Sequence, residues 1–139
     1  MVTLSGDSSE QGTYACTSTT TWTSSTNMGR FEMDIPGFTS GRFGAAINWA
    51  GEPIARAYLS TDPGVTGVAS ITVGVMMPVD WSTGVSDGRG DTGDYQLSFT
   101  SVGSATATSD GRSYAVHGTF EAKLVGNGPS TIITLSSRF

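Results

Sequence analysis

The apolar residues of this chain recur with a period of two, a pattern that restricts the possible folds more than any other in the sequence. In the segment RFEMDI, the apolar residues Phe31, Met33 and Ile35 alternate with charged residues. A β-strand with one buried face and one wet face has this pattern. No window carries apolar residues at the i, i+3, i+4, i+7 spacing of a helix, and Gly or Pro interrupts almost every candidate. The sequence therefore predicts an all-β protein.

The same alternation recurs along the rest of the chain. It predicts further strands through Phe43, Ala45, Ile47 and Trp49, through Ile54, Arg56 and Tyr58, through Ala69, Ile71, Val73, Val75 and Met77, through Tyr95, Leu97 and Phe99, through Tyr114, Val116, Phe120, Ala122 and Leu124, and in the last segment TIITL. Turn residues at 51–53 predict a hairpin between the first two of these strands. Asp110-Gly111 predicts another hairpin, with positive φ angles at a two-residue turn.

The number and spacing of these strands indicate the architecture. About nine or ten short, mainly antiparallel strands, with turns at roughly ten-residue spacing, favour a β-sandwich, and a closed β-barrel is the alternative. The 139 residues have the usual size of one domain. We therefore expect a single β domain over residues 1–139.

Composition narrows the environment and the partners. Ser and Thr make up more than a quarter of the chain and only 14% of residues are charged, a surface chemistry commoner outside cells than inside. The net charge of -5, with seven scattered Lys and Arg, offers no basic stripe for nucleic acid or anionic membrane. No apolar run approaches a membrane helix. The first residues, MVTLSGDSSEQG, lack signal-peptide features, which fits both a removed leader and a native start at Met1.

The residue types needed for catalysis or metal binding are scarce. The chain has one His and one Cys, too few for a zinc site. His117 falls on the polar face of a predicted strand, and no nucleophile-elbow motif occurs. Cys16 has no possible disulfide partner within the chain, so we expect it to be a small buried side chain. The sequence predicts no enzyme, no metal and no cofactor.

The longest irregular segment, residues 78–94, is where we expect contacts with a ligand. Its carboxylates could offer oxygen ligands to calcium, but Arg89 lies among them and the spacing is not that of an EF-hand. Arg89-Gly90-Asp91 matches the tripeptide of integrin ligands, over three residues only. Trp81 fits either an exposed carbohydrate contact or, as we favour, core packing. The candidate contact residues are Trp81, Asp87, Arg89, Asp91 and Asp94.

Three segments carry a family resemblance: VTLSG with QGTYACT, AINWAGEPIARAYLS, and GSATATSDGRSYAVHGTFEA. In these segments the chain resembles the mycobacterial lipoprotein antigens of the LpqH type. The resemblance implies export, a lipidated N-terminal cysteine, a glycosylated Thr-rich leader, and recognition by the host as a surface antigen. The chain departs from the family because Ser136 and Ser137 stand where a second cysteine is expected, and because the lipid-bearing cysteine is absent.

Three functions follow as expectations. The first is a non-catalytic, surface-exposed lipoprotein or antigen domain that contacts a protein or glycan of the host or envelope, attached to a membrane only through an N-terminal lipid. The second is a β-barrel that binds a small molecule or lipid, with a pocket lined by Phe31, Trp49, Tyr58 and Phe99. The third is a structural component of a particle or surface layer.

Overall fold

The computed structural model describes residues 1–6, 12–36, 41–73, 79–85, 90, 92–126 and 132–139. Its strands are β1 (Val2–Gly6), β2 (Gly12–Tyr14), β3 (Thr17–Thr23), β4 (Met28–Asp34), β5 (Gly41–Ala50), β6 (Ala57–Leu59), β7 (Thr66–Val73), β8 (Val79–Ser82), β9 (Asp94–Ala107), β10 (Gly111–Gly126) and β11 (Ile132–Arg138). Among the described residues there is no helix long and apolar enough to span a membrane.

The strands pack as two antiparallel layers that share β10. Layer one has the order β3-β4-β5-β7-β8, and layer two has the order β2-β1-β11-β10-β9-β6. The start of β10, residues 111–113, pairs with β3, and its end, at Val125 and Gly126, pairs with β8. The predicted all-β, sandwich-like fold is therefore confirmed, with a long strand that joins the layers at both of its ends.

Aromatic rings from the two layers fill the space between them. Phe31 of layer one lies 6.1 Å from Phe99 and 6.0 Å from Phe120, measured between ring centroids. Trp49 lies 4.5 Å from Tyr58 and 5.7 Å from Phe99. All five side chains are buried. Such ring contacts contribute about 0.5–1.5 kcal/mol each beyond the burial of apolar area, so this cluster is a main source of stability.

The alternation correctly identified the core-facing residues of several strands, but not at Ile54, which is 57% exposed, nor at the start of β10, where Tyr114 and Val116 are only half-buried. The predicted inward residues of β4, β5 and the first part of β9 are buried, as are Ala69 and Ile71 of β7. His117 is exposed, as predicted. Residues 74–77, the rest of the strand predicted through Ala69 to Met77, lie outside the described residues.

The predicted hairpin between β5 and β6 is wrong. Strand β5 pairs with β4 and β7, and β6 pairs with β9 in the other layer. The chain crosses between the layers after Gly51, whose φ of 87° is open only to glycine without strain. The Tyr58 hydroxyl then binds the backbone of Ile54 at 3.1 and 3.3 Å, which fixes the crossing segment.

The hairpin between β9 and β10 is present, but its turn differs from the prediction. The N–H of Thr108 donates to the carbonyl of Gly111 at 3.1 Å, which leaves Ser109 and Asp110 at the tip. None of these residues has a positive φ. Gly111 is needed for another reason, because a Cβ atom there would overlap the carbonyl oxygen of Trp22 on the neighbouring β3.

Candidate ligand-binding grooves

Two of the five predicted contact residues lie in the described part of the structure. Trp81 lies on β8, inside the segment predicted to be irregular, and is only 6% exposed. It packs with the core, as we favoured, rather than facing a ligand. Asp94 is exposed at the start of β9. Asp87, Arg89 and Asp91 lie outside the described residues.

The larger groove crosses the outer face of layer one and has a volume of about 510 Å³. We call it the layer-one groove. Its floor is β5, where the outward positions hold Gly44 and Ala46 between larger neighbours on β4 and β7. A Cβ atom built at Gly44 would meet no atom within 4 Å. The groove therefore exists because the central strand has almost no side chains there.

The two rims of the layer-one groove differ in chemistry. On one side lie the hydroxyls of Thr17 and Thr19 and the carboxylates of Glu32 and Asp34. On the other side lie Val68, an apolar side chain that is 44% exposed, and the hydroxyl of Ser70. This arrangement offers hydrogen-bond groups on both rims and an apolar surface at Val68.

The two carboxylates of this groove have different surroundings. Glu32 accepts a hydrogen bond from Arg30 at 2.7 Å, and Arg30 also binds the side chain of Asn48 at 3.2 Å. Asp34 has no hydrogen-bond or ion-pair partner among the described residues. Asp34 is therefore the carboxylate whose oxygens remain available to a bound molecule.

A smaller groove of about 380 Å³ lies on the outer face of layer two. The β9–β10 pairing ends at Phe99 and Gly118, and beyond that point the strands diverge around the groove. Asp94 lines it, together with Glu121 and Lys123. Asp94 is thus the predicted contact residue that the described part of the structure places in a groove.

Tyr95 lines this second groove with most of its ring buried. Burial raises the pKa of its phenol above the usual value, and the nearby carboxylate of Asp62 raises it further. The backbone N–H of Tyr95 donates to the Ser60 hydroxyl at 3.2 Å. Tyr95 is therefore a neutral, well-anchored part of the groove wall at physiological pH.

Side chains also converge where three connections meet at one end of the sandwich. The Tyr114 hydroxyl and the Arg112 guanidinium both donate to the carboxylate of Glu52, and the bond from Arg112 is 3.0 Å long. The Arg112 guanidinium lies 5.6 Å from the ring centre of Trp22, whose indole N–H donates to Asn27 at 3.0 Å. Because these side chains pair with one another, they join β3, β10 and the β5–β6 connection. We call this cluster of Trp22, Asn27, Glu52, Arg112 and Tyr114 the latch.

Two further residues considered for chemistry have ordinary surroundings. The Cys16 sulfur lies 3.7 Å from the Ser137 hydroxyl and is half-buried, which is more exposed than we expected. His117 is exposed on the outer face of β10. The described residues bring no three His, Cys, Asp or Glu side chains together in a way that could hold a metal ion.

Sequence reasoning missed the layer-one groove. Its small floor residues lie in the string GRFGAAINWA, where Gly44 and Ala46 occupy the polar positions of an apolar alternation. These small residues at outward positions are the one sign of the groove in the sequence. It indicates a groove only when the neighbouring strands are known, because the walls come from β3, β4 and β7.

Comparison with known proteins gives no match to any family model, to any curated protein or to any solved structure. The resemblance to the LpqH-type lipoprotein antigens therefore stays a prediction.

Proposed function

We propose that the chain is a non-catalytic binding domain of an exported or surface-attached protein, and that it binds a glycan in the layer-one groove. The observation that carries the proposal is the groove itself. One rim holds threonine hydroxyls and the Asp34 carboxylate, which has no partner among the described residues, and the other holds Val68 and Ser70. The hydroxyl-rich, weakly charged composition supports an extracellular setting.

The chemistry of a sugar suits both rims of the groove. A sugar ring presents hydroxyls at its edge and C–H groups on its face, so it can satisfy polar and apolar walls at the same time. A carboxylate accepts hydrogen bonds from hydroxyls, and bonds to a charged acceptor are about twice as strong as neutral ones. The groove crosses four strands, about 14 Å at the usual strand spacing. An open channel of that length fits a short stretch of an oligosaccharide.

The core packing argues against the second expected function, a barrel with an internal ligand. The aromatic residues that such a pocket would present to its ligand are Phe31, Trp49, Tyr58 and Phe99, and they contact one another instead. Each is at most 3% exposed. A ligand would have to displace these contacts, whereas the surface groove requires no rearrangement.

The test begins with the purified protein on an array of host-type and envelope-type oligosaccharides, followed by calorimetry with an oligosaccharide that binds. Gly44→Val fills the groove at a position with free space, and β-branched residues suit strands. We expect it to weaken binding at least about tenfold, equivalent to about 1.4 kcal/mol. Asp34→Asn should weaken binding by a similar factor because it removes the charged acceptor.

Ala57→Val is the matched control, because it adds the same side chain to an exposed position of β6 outside the groove. It should bind like the unchanged protein. Absence of binding to every oligosaccharide, or equal affinities of the Gly44→Val and Ala57→Val variants, would overturn the proposal.

A further inference from the structure

Among the described strands, none pairs with one edge of β9 over most of its length. On its first edge β9 pairs with β10 from Phe99 to Ala107, and on its second edge β6 pairs only with residues 96–98. In the described part of the chain no strand pairs with residues 100–107 on that second edge, and all of them except Val102 are exposed. The other outer strands of layer two, β2 and β6, have 3 residues each.

The turn at the end of β9 fixes which backbone groups face the free edge. The Thr108 N–H donates to Gly111, so the backbone groups of Thr108 and Thr106 point toward β10. Backbone groups alternate between the two edges of a strand. Ala105 and Ala107 therefore direct one N–H and one C=O each to the free edge. Residues 105–107 pair with β10 in regular register, after the irregularity near residue 103.

Beyond the irregularities of β9 near residues 100 and 103, the free edge lacks the features that usually prevent strands from pairing. Residues 100–107 read TSVGSATA, without a charged residue or proline. Most exposed edges are protected by charges, proline or short length. The whole chain carries a net charge of -5, so two copies repel each other least where they meet through an uncharged surface. An edge of small neutral residues is such a surface, and it is complementary to itself.

We propose that β9 pairs antiparallel with β9 of a second copy of this chain, about a two-fold axis at Thr106. Ala105 of each copy then lies opposite Ala107 of the other, and these residues exchange four backbone hydrogen bonds. The two Thr106 side chains lie directly opposite each other, a favourable cross-strand pair. The pairing extends layer two into one continuous sheet across the dimer. It does not depend on what the layer-one groove binds.

Sedimentation velocity of the whole chain, from about 1 µM to about 300 µM, tests the proposal. The unchanged protein should shift with concentration from the 14.4 kDa chain mass to twice that mass. Thr106→Lys and Thr106→Glu should each remain monomeric, because like charges then lie opposite each other. An equimolar mixture of the two variants should restore the dimer. Each change alters an exposed side chain, so the fold is preserved.

A second pair of variants tests the backbone contacts. Ala105→Pro removes the backbone N–H that faces the free edge and leaves the hydrogen bonds to β10 in place, so this variant should be monomeric. Ala105→Val keeps that donor and should dimerise. A monomer at every concentration, a dimer that Thr106→Lys does not weaken, or charge variants that fail to associate when mixed would each overturn the proposal.

Discussion

At the scale of single residues, two strand glycines of layer one differ in what a methyl group would meet. A Cβ atom at Gly29 would overlap the indole nitrogen of the buried Trp49, whereas one at Gly44 would meet open space. We expect Gly29→Ala to lower the free energy of unfolding by about 1–3 kcal/mol through overpacking. Gly44→Ala should leave it unchanged or raise it by about 0.5–1 kcal/mol. Urea unfolding measures the free energy of unfolding of both variants. Equal losses of stability in Gly29→Ala and Gly44→Ala would contradict the close contact of Gly29 with Trp49.

The pKa of Tyr114 reports whether its hydrogen bond to Glu52 in the latch is formed. Burial raises this pKa above the usual 10.0, the hydrogen bond to the Glu52 carboxylate raises it further, and Arg112 opposes both effects. Because the folded pKa exceeds the unfolded one, the associated stability is fully present below pH 10.0 and is lost as the pH rises through the folded pKa.

We expect Glu52→Gln to lower the pKa of Tyr114, because a neutral amide no longer favours the protonated phenol. The ultraviolet titration of this tyrosine is isolated as the difference between variants with and without Tyr114→Phe, in each Glu52 background. A midpoint that does not move when Glu52 is replaced would show that the latch bond does not form in solution.

At the scale of elements, the sequence predicts strands better than it predicts their partners. The alternation that buries Phe43 and Trp49 is a local property of β5, and it identifies the strand and its inner face. The partner of β5 depends on the crossing after Gly51, which no local pattern reveals. The layer-one groove escaped prediction for the same reason, since its walls come from three other strands.

Strands β9 and β10 diverge at Gly118, where their pairing ends. Gly118 exchanges hydrogen bonds with Phe139 at 3.0 and 3.1 Å, and a Cβ atom there would overlap the carbonyl oxygen of Ser98. We expect Gly118→Ala to cost about 1–3 kcal/mol by overpacking and to speed amide exchange near Ser98. Exposed His117→Ala is the control, with an expected effect within about 0.5 kcal/mol. Similar protection of the amides near Ser98 in the Gly118→Ala and His117→Ala variants would contradict the close approach of Gly118 to Ser98.

At the scale of the whole molecule, Phe31 is the side chain that links the layers most directly. It contacts Phe99, Phe120 and Phe139, which come from layer two and the C-terminus. We expect Phe31→Ala to lower the free energy of unfolding by about 3–5 kcal/mol. The unchanged protein should unfold in one step, with coincident tryptophan-fluorescence and circular-dichroism transitions. Separate transitions would contradict the prediction of a single β domain.

Mapping of amide chemical shifts during titration with an oligosaccharide selected on the array tests glycan binding in the layer-one groove most directly. We expect the largest shifts on the outer face of layer one, at Thr19, Asp34, Gly44, Ala46 and Val68. Shifts that cluster at the layer-two groove or at the latch around Glu52 would contradict it.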